Sequence, residues 1–147
     1  MPTNPFVGAW KLLSSEMRTS TGEVLYPLGP DCAGSLLFDS TGVLSAHLMR
    51  PDRPQFASGD IVRGTDEEIR AAYQGYVAFW ARYQFDEAKR ELTYVITGSL
   101  FPNWVEHTNL RFYEFEGNRL TFHTPQFLMA GKELVGVLIW ERVGESK

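Results

Sequence analysis

This chain of 147 residues has a single cysteine, Cys32. It also has only three histidines. A single cysteine excludes an internal disulfide and a four-cysteine zinc site, so a reducing compartment is expected. The histidines His47, His107 and His123 show neither a His-x-His nor a His-x-x-x-His spacing. A metal site would need all three to converge from different strands, so none is expected.

Positive charge and long apolar runs are also scarce. The formal net charge is −4 at pH 7, whereas binding to phosphate backbones or anionic membranes needs clustered Lys and Arg. No apolar run approaches the roughly 20 residues of a membrane span, and the stretch Met1–Phe6 lacks the basic and apolar segments of a signal peptide. We expect a cytoplasmic protein that binds neither nucleic acid nor membranes.

Motifs for cofactors and nucleophiles are missing as well. The chain has no phosphate-binding glycine loop, no Gly-x-Ser-x-Gly elbow and no dinucleotide fingerprint. Cys32 would act as a nucleophile only if a histidine approached it, and a lone cysteine usually packs as a small hydrophobe. No cofactor is expected.

Aromatic residues, in contrast, are abundant, with 10 Phe, 6 Tyr and 4 Trp making up 14% of the chain. The hydrophobic fraction of 44% is sufficient for a buried core at this length. One domain spanning residues 1–147 is expected, because a second core would barely fit.

Short runs of alternating polarity, separated by Gly, Pro, Asn and Asp, predict an antiparallel all-β domain. Eight strands are predicted, namely Val7–Thr19, Gly34–Ser40, Val43–Arg50, Arg82–Asp86, Glu91–Leu100, Glu106–Glu116, Arg119–Pro125 and Glu133–Val143. Between the third and fourth strands, Thr65-Asp66-Glu67-Glu68 forms a capping box, followed by an apolar stripe that includes Tyr73 and Trp80. This pattern predicts a helix over residues 65–81. Eight strands and one helix favour a small closed barrel whose interior holds one ligand, with the helix across one mouth.

Several segments resemble a known family. They are Gly8-Ala9-Trp10-Lys11-Leu12, Tyr26-Pro27-Leu28-Gly29-Pro30-Asp31, Met49-Arg50-Pro51-Asp52-Arg53-Pro54, Gly75-Tyr76, Ser99-Leu100-Phe101-Pro102-Asn103-Trp104 and Trp140-Glu141-Arg142. They are similar to those of lipocalin-like domain proteins of bacteria and fungi, over nearly the whole chain. The resemblance implies an eight-stranded antiparallel calycin-type barrel in which Arg142 of the last strand covers Trp10 of the first. It also implies either a carrier or a natural-product isomerase or cyclase.

The alternation of side chains along each strand decides which residues line the barrel. If Trp10 points inward, Ser14 and Glu16 share its face. An Asn two positions before an Arg on the sixth strand is similar to the family's pattern, so the resemblance implies that Asn109 and Arg111 face inward. The candidate ligand-binding residues are Asn109, Arg111, Tyr113, His47, Met49, Tyr76, Trp80, Tyr83 and Trp104.

A buried guanidinium needs a partner, so Arg111 is a candidate anchor for a carboxylate, phenolate or enolate of a ligand. The alternatives are an ion pair with Glu16 or Glu106, or exposure to solvent. Arg50 and Arg53 similarly admit two interpretations: they brace their loop by local bonds, or they steer an anionic ligand to the mouth.

Two main functions remain open. The first is binding of a small hydrophobic or aromatic metabolite that carries an oxyanion or carbonyl. The second is a cofactor-free isomerase or cyclase of a polyketide- or terpenoid-like pathway, in which His107 or His123 moves a proton and Arg111 stabilises negative charge. A third, weaker alternative is a barrel filled by its own side chains that serves a partner or a homodimer.

Overall fold

A computed structural model describes residues 3–144, which form ten strands, one α-helix and one 3-10 turn. The strands are β1 Gly8–Thr19, β2 Val24–Leu25, β3 Ala33–Phe38, β4 Val43–Met49, β5 Tyr76–Asp86, β6 Glu91–Ser99, β7 Thr108–Glu116, β8 Arg119–His123, β9 Phe127–Met129 and β10 Lys132–Arg142. The helix α1 spans Asp66–Gln74, and the 3-10 turn spans Pro102–Trp104. No helix in this described part of the chain is long and apolar enough to cross a membrane.

The strands form a closed antiparallel barrel. The order in the sheet is β2-β1-β3-β4-β5-β6-β7-β8-β10-β9, and a further pairing of β1 with β10 closes it. β2 pairs only with the end of β1, and β9 pairs only with the start of β10, so eight strands make the barrel. The predicted all-β, eight-stranded antiparallel barrel is confirmed. Seven of the eight predicted strands lie within about two residues of their expected bounds.

The helix is shorter than the predicted span of residues 65–81. It begins as expected at Thr65, whose side chain accepts a hydrogen bond from the amide of Glu68, while the Glu68 carboxylate accepts one from the amide of Thr65. It ends at Gln74, before Gly75. Residues 76–81 belong instead to β5, because their backbone pairs with β4 from Met49 to Leu44. None of the helical residues is buried, and Tyr73 is 45% exposed, so the apolar stripe is not part of the core. The position of the helix across one mouth stays a prediction.

One end of the barrel is filled by aromatic side chains. Phe6 is completely buried, and its ring lies 4.9 Å from that of Tyr113 and 5.1 Å from that of Phe38. Beneath it, Arg142 lies 4.2 Å from the ring of Trp10, as the resemblance implied. We call this the closed end, and the opposite end, with the long loops 50–65 and 100–107, the mouth.

A β-bulge in β1 changes which residues face inward. The register with β10 shifts between Leu12 and Ser14. Ser15 is consequently buried and pairs with Leu138 of the inner wall. The expectation that Ser14 and Glu16 share the face of Trp10 is therefore wrong, because the extra residue reverses the alternation beyond Leu12.

Candidate functional site

Asn109 and Arg111 lie on the inner wall of the barrel. In the ladder between β6 and β7, Asn109 is opposite Tyr94 and Arg111 is opposite Leu92. Residues directly opposite each other share a face of the sheet, and Tyr94 and Leu92 are both buried in the core. The side chains of Asn109 and Arg111 therefore project into the barrel, as the resemblance implied.

The Arg111 guanidinium has no carboxylate partner. Among residues 3–144 it forms no ion pair within 4.0 Å. It lies 5.5 Å from the ring centroid of Tyr94 and donates one hydrogen bond, 2.9 Å long, to the carbonyl of Leu110. Glu16 instead contacts Arg18 at 3.0 Å, and Glu106 is exposed in a turn. Arg111 is thus half-buried with donors left over for another group.

Aromatic rings connect Arg111 with the mouth. The ring of Tyr94 is stacked on that of Phe79 at 5.6 Å, and Phe79 meets Trp104 edge-on at 6.2 Å. Together with Arg111 they form a row from the mouth into the barrel, which we call the aromatic row (Trp104, Phe79, Tyr94).

A small cavity opens beside the outer end of this row. Its volume is about 160 Å³, and its lining comes from the end of α1, the start of β5 and the loop after β6. The lining residues are Tyr73, Gln74, Tyr76, Val77, Ala78, Leu100, Phe101 and Trp104. Trp104 is positioned by the 3-10 turn and by the ring of Phe101 at 5.4 Å. The cavity shares only Trp104 with the aromatic row, and Arg111 lies at the other end of that row rather than in the cavity lining. Apolar walls with a few polar groups nearby are typical of small-molecule sites.

The family comparison agrees with this architecture, because a lipocalin-like domain model matches residues 7–143. The chain belongs to the lipocalin-like domain family. It is 28% identical over 107 residues to the 4'-hydroxy-3'-methoxypropiophenone carrier protein of Aspergillus oryzae, covering 68% of this chain and 96% of that protein. The crystal structure of a lipocalin-like protein from Bacteroides uniformis is similar at a TM-score of 0.48 and 12% identity, over 95% of this chain and 100% of that one.

Burial keeps the phenol of Tyr94 neutral in this lipocalin-like barrel. Burial raises the pKa of the Tyr94 phenol, and the nearby Arg111 offsets only part of that effect. At neutral pH Tyr94 therefore keeps its hydroxyl proton and can donate a hydrogen bond. Burial also raises the pKa of the Cys32 thiol, which does not favour a nucleophilic role.

Four predicted ligand-binding residues lie outside the barrel. Met49 pairs with Tyr76, and His47 with Ala78, on the face opposite to buried Leu48. The same alternation places Trp80 outside, where it covers Gly98 and is 51% exposed. The expectation that His47, Met49, Tyr76 and Trp80 line the interior is corrected, because the inner residues of β4 and β5 are one position away in register. Tyr76 contributes to the site only through the wall of the mouth cavity.

The outward-facing residues of β4 and β5 are held by a loop arginine. Nδ1 of His47 lies 2.8 Å from the hydroxyl of Tyr76, and Arg53 lies 4.9 Å from the ring of Tyr76. Arg53 also donates to the carbonyl of Ala72, and Arg50 donates to that of Pro27. These contacts favour the interpretation that the two arginines brace their loops. A second, open groove of about 510 Å³ lies on the outer side of Arg53, between α1 and loop 54–61.

Tyr83 and Tyr113 face inward but lie towards the closed end. The Tyr83 hydroxyl donates to the carbonyl of Asp39 at 2.6 Å and accepts from Nδ2 of Asn4 at 2.9 Å, so it is occupied by contacts of the fold. Tyr113 packs against Phe6. Both side chains thus lie between Arg111 and the closed end, and their contact with a ligand stays a prediction.

The histidines are not brought together with Arg111. His123 pairs with Phe112, which is on the opposite face of β7 from Arg111. The expectation that His123 lies inside the barrel with Asn109 and Arg111 is therefore wrong. His107 is exposed and precedes β7. No cluster of three potential metal ligands occurs within residues 3–144. The proton-transfer roles of His107, His123 and Arg111 stay predictions that this geometry does not favour.

Two of the three members of the aromatic row, Phe79 and Tyr94, are not found by sequence reasoning. The sequence pattern predicts Phe79 in the helix, and it predicts a strand but no binding role for Tyr94. The alternation Val77-Phe79-Ala81-Tyr83-Phe85 was the available signal, because a strand with five apolar residues on one face indicates a barrel wall.

Proposed function

We propose that this lipocalin-like protein binds a small aromatic molecule, with a carbonyl or oxyanion, in the mouth half of its barrel. The observation that carries this proposal is the position of Arg111. It lies on the inner wall, over the ring of Tyr94, without a carboxylate partner among residues 3–144.

The cost of burying charge supports a ligand at this position. A guanidinium fully withdrawn from water without an acceptor is unfavourable by several kcal/mol. Arg111 is half-buried, so it bears only part of this penalty, and it has one backbone acceptor for its five N–H groups. An oxygen atom of a ligand would supply the missing acceptor. The Tyr94 hydroxyl and the Asn109 amide belong to the same face of the wall and offer further hydrogen bonds.

The aromatic row supports a flat ligand. Phe79, Tyr94 and Trp104 already contact one another edge-on or stacked at 5.6–6.2 Å. Each added aromatic contact of this kind contributes about 0.5–1.5 kcal/mol beyond the burial of apolar area. An aromatic ligand between the mouth cavity and Arg111 would extend the same packing.

The similarity to the Aspergillus oryzae protein supports the same class of ligand. Its name assigns it the carriage of a hydroxy-methoxypropiophenone, an aryl ketone whose carbonyl would suit a guanidinium donor. We propose that the present chain likewise carries its ligand, that it is cytoplasmic and that it needs no cofactor. No observation favours the isomerase or cyclase alternative.

The test is titration calorimetry with 4'-hydroxy-3'-methoxypropiophenone as the probe. Arg111→Gln should weaken binding about tenfold or more, equivalent to about 1.4 kcal/mol, because a charge-assisted hydrogen bond is lost. Arg119→Gln is the matched control, since it removes the same charge from an exposed position of β8 and should change the affinity less than twofold. Absence of binding to the unaltered protein, or equal binding by both variants, would contradict the proposal.

A further inference from the structure

We propose that the site takes acidic phenols and enols as their anions, so that the ligand loses a proton to water on entering and its oxyanion neutralises Arg111. This inference rests on the proposed function, and it selects the oxyanion over the carbonyl as the group that Arg111 recognises.

The first argument is the charge on the inner wall. Apart from Arg142 at the closed end and Lys132 in the β9–β10 hairpin, Arg111 is the only charged residue on the inner face of the barrel strands in the described chain. No Asp or Glu shares that face. A neutral ligand would therefore leave a half-buried positive charge uncompensated, whereas a monoanion would cancel it.

The second argument is what faces Arg111 from the neighbouring elements. β6 contributes Leu92 and Tyr94, and β8 contributes Phe122, which is opposite Tyr113. On β7 itself the inner neighbours are Asn109 and Tyr113. The two tyrosines are the only titratable groups in this set.

Neither tyrosine competes for the role of counter-ion. Burial is the main cause that raises the pKa of Tyr94, and it also raises that of Tyr113, with Glu87 and Asp86 adding to the effect. Both phenols therefore stay protonated at neutral pH. Tyr94 presents the face of its ring to the guanidinium at 5.5 Å. The ligand is the group left to carry the negative charge.

The preference of the site for the anionic ligand over the neutral one follows from the proximity of opposite charges. An opposite charge within about 4–6 Å lowers the pKa of an acid by roughly 1 to 3, which corresponds to a preference of roughly 10- to 1000-fold for the anion over the neutral form. The step is a simple ionisation: the O–H bond of the ligand breaks, the electron pair stays on oxygen and one proton goes to solvent.

The experiment uses 4-nitrophenol, whose phenolate absorbs visible light, together with its methyl ether 4-nitroanisole, which cannot ionise. The titration is carried out about one pH unit below the pKa of free 4-nitrophenol. We expect binding to increase the phenolate absorbance and to release about 0.4 to 0.9 proton per site, for a ligand pKa lowered by 1 to 3, measured by calorimetry in buffers of different ionisation enthalpy. We expect 4-nitroanisole to bind about 2- to 90-fold more weakly at this pH, because only about a tenth of the free 4-nitrophenol is anionic there.

Variants assign the effect to Arg111. Arg111→Gln should abolish the phenolate signal, Arg111→Lys should retain it because the charge is kept, and exposed Arg119→Gln should behave as the unaltered protein. Circular dichroism of each variant checks the barrel. If both probes bind with equal affinity and no phenolate appears, the inference is overturned while the proposed aromatic site stands. If neither probe binds to the unaltered protein, both are overturned.

Discussion

The guanidinium of Arg142, near the end of β10, lies 4.2 Å from the indole ring of Trp10, near the start of β1. It also donates to the carbonyls of Pro5 at 2.7 Å and Val7 at 2.9 Å. One side chain thus connects the N-terminal segment with both strands that close the barrel. A cation over an indole contributes up to about 2 kcal/mol when desolvated, and hydrogen bonds from a charged donor contribute about 1.5–3 kcal/mol each.

The first prediction concerns this contact. Arg142→Ala should lower the free energy of unfolding by about 2–4 kcal/mol, because both interactions are lost together and such contributions are not fully additive. Chemical denaturation followed by circular dichroism measures the change. Exposed Arg119→Ala is the control, with an expected change below about 0.5 kcal/mol. An equal effect of the two substitutions would show that Arg142 does not brace the barrel.

The second prediction compares two glycines that sit close to other groups. A Cβ atom on Gly34 would collide with the backbone carbonyl of His47 and lie 3.2 Å from Leu12 side-chain atoms. The three atoms nearest to a Cβ on Gly98 all belong to the ring of Trp80, which is 51% exposed and can move away. Gly34→Ala should therefore cost about 1–3 kcal/mol of unfolding free energy, and Gly98→Ala less than about 1 kcal/mol. Denaturant unfolding of the two variants measures which loses more unfolding free energy. A larger loss in Gly98→Ala would show that the backbone at Gly34 can shift to accommodate the methyl group.

The third prediction is a pH dependence at the β3–β4 turn. The Asp39 carboxylate accepts hydrogen bonds from the hydroxyl of Thr41 at 2.6 Å and from the amides of Thr41 and Val43. The Thr41 hydroxyl is the largest cause that holds the pKa of Asp39 below its ordinary value. Because the pKa is lower in the folded state, the stabilisation is complete above the unfolded value of about 3.9 and is lost as the pH falls through the folded pKa.

NMR titration of Asp39 and unfolding at several acidic pH values measure this effect. Thr41→Val should raise the pKa of Asp39 towards its ordinary value and flatten the acid dependence of stability. An unchanged titration of Asp39 in Thr41→Val would show that the hydroxyl is not the stabilising partner.

Much of the fold was predictable because it depends on local patterns. Alternating runs separated by turn residues identified all eight barrel strands, and the capping box at Thr65 located the start of the helix. The end of the helix was not predictable in the same way. Residues 76–81 carry apolar side chains at spacings that suit a helix and a strand alike, and their pairing with β4 decided between the two.

The site was predictable only in part, because its lining depends on register. Asn109 and Arg111 were placed correctly on the inner face through the family resemblance. His123 and Trp80 were misplaced, since a difference of one residue moves a side chain to the other side of the sheet. The bulge after Leu12 has the same consequence for β1. Such non-local pairing leaves no clear trace in a short window of sequence.

The last prediction separates two tryptophans that the structure places on opposite sides of the wall. Trp104 meets Phe79 at 6.2 Å and lines the mouth cavity, whereas Trp80 lies outside over Gly98. Trp104→Ala should weaken binding of 4'-hydroxy-3'-methoxypropiophenone about tenfold, because an aromatic contact and the apolar area of the entrance are both lost. Trp80→Ala should leave the affinity within twofold of the unaltered protein.

Fluorescence gives an independent measurement on the same pair of variants. If the ligand lies beside the aromatic row, its binding should quench the emission of Trp104, so quenching should persist in Trp80→Ala and largely disappear in Trp104→Ala. Calorimetry on both variants supplies the affinities. A ligand that is bound equally well by Trp104→Ala and quenches only Trp80 would lie on the outer surface of the barrel, which would move the binding site away from Arg111.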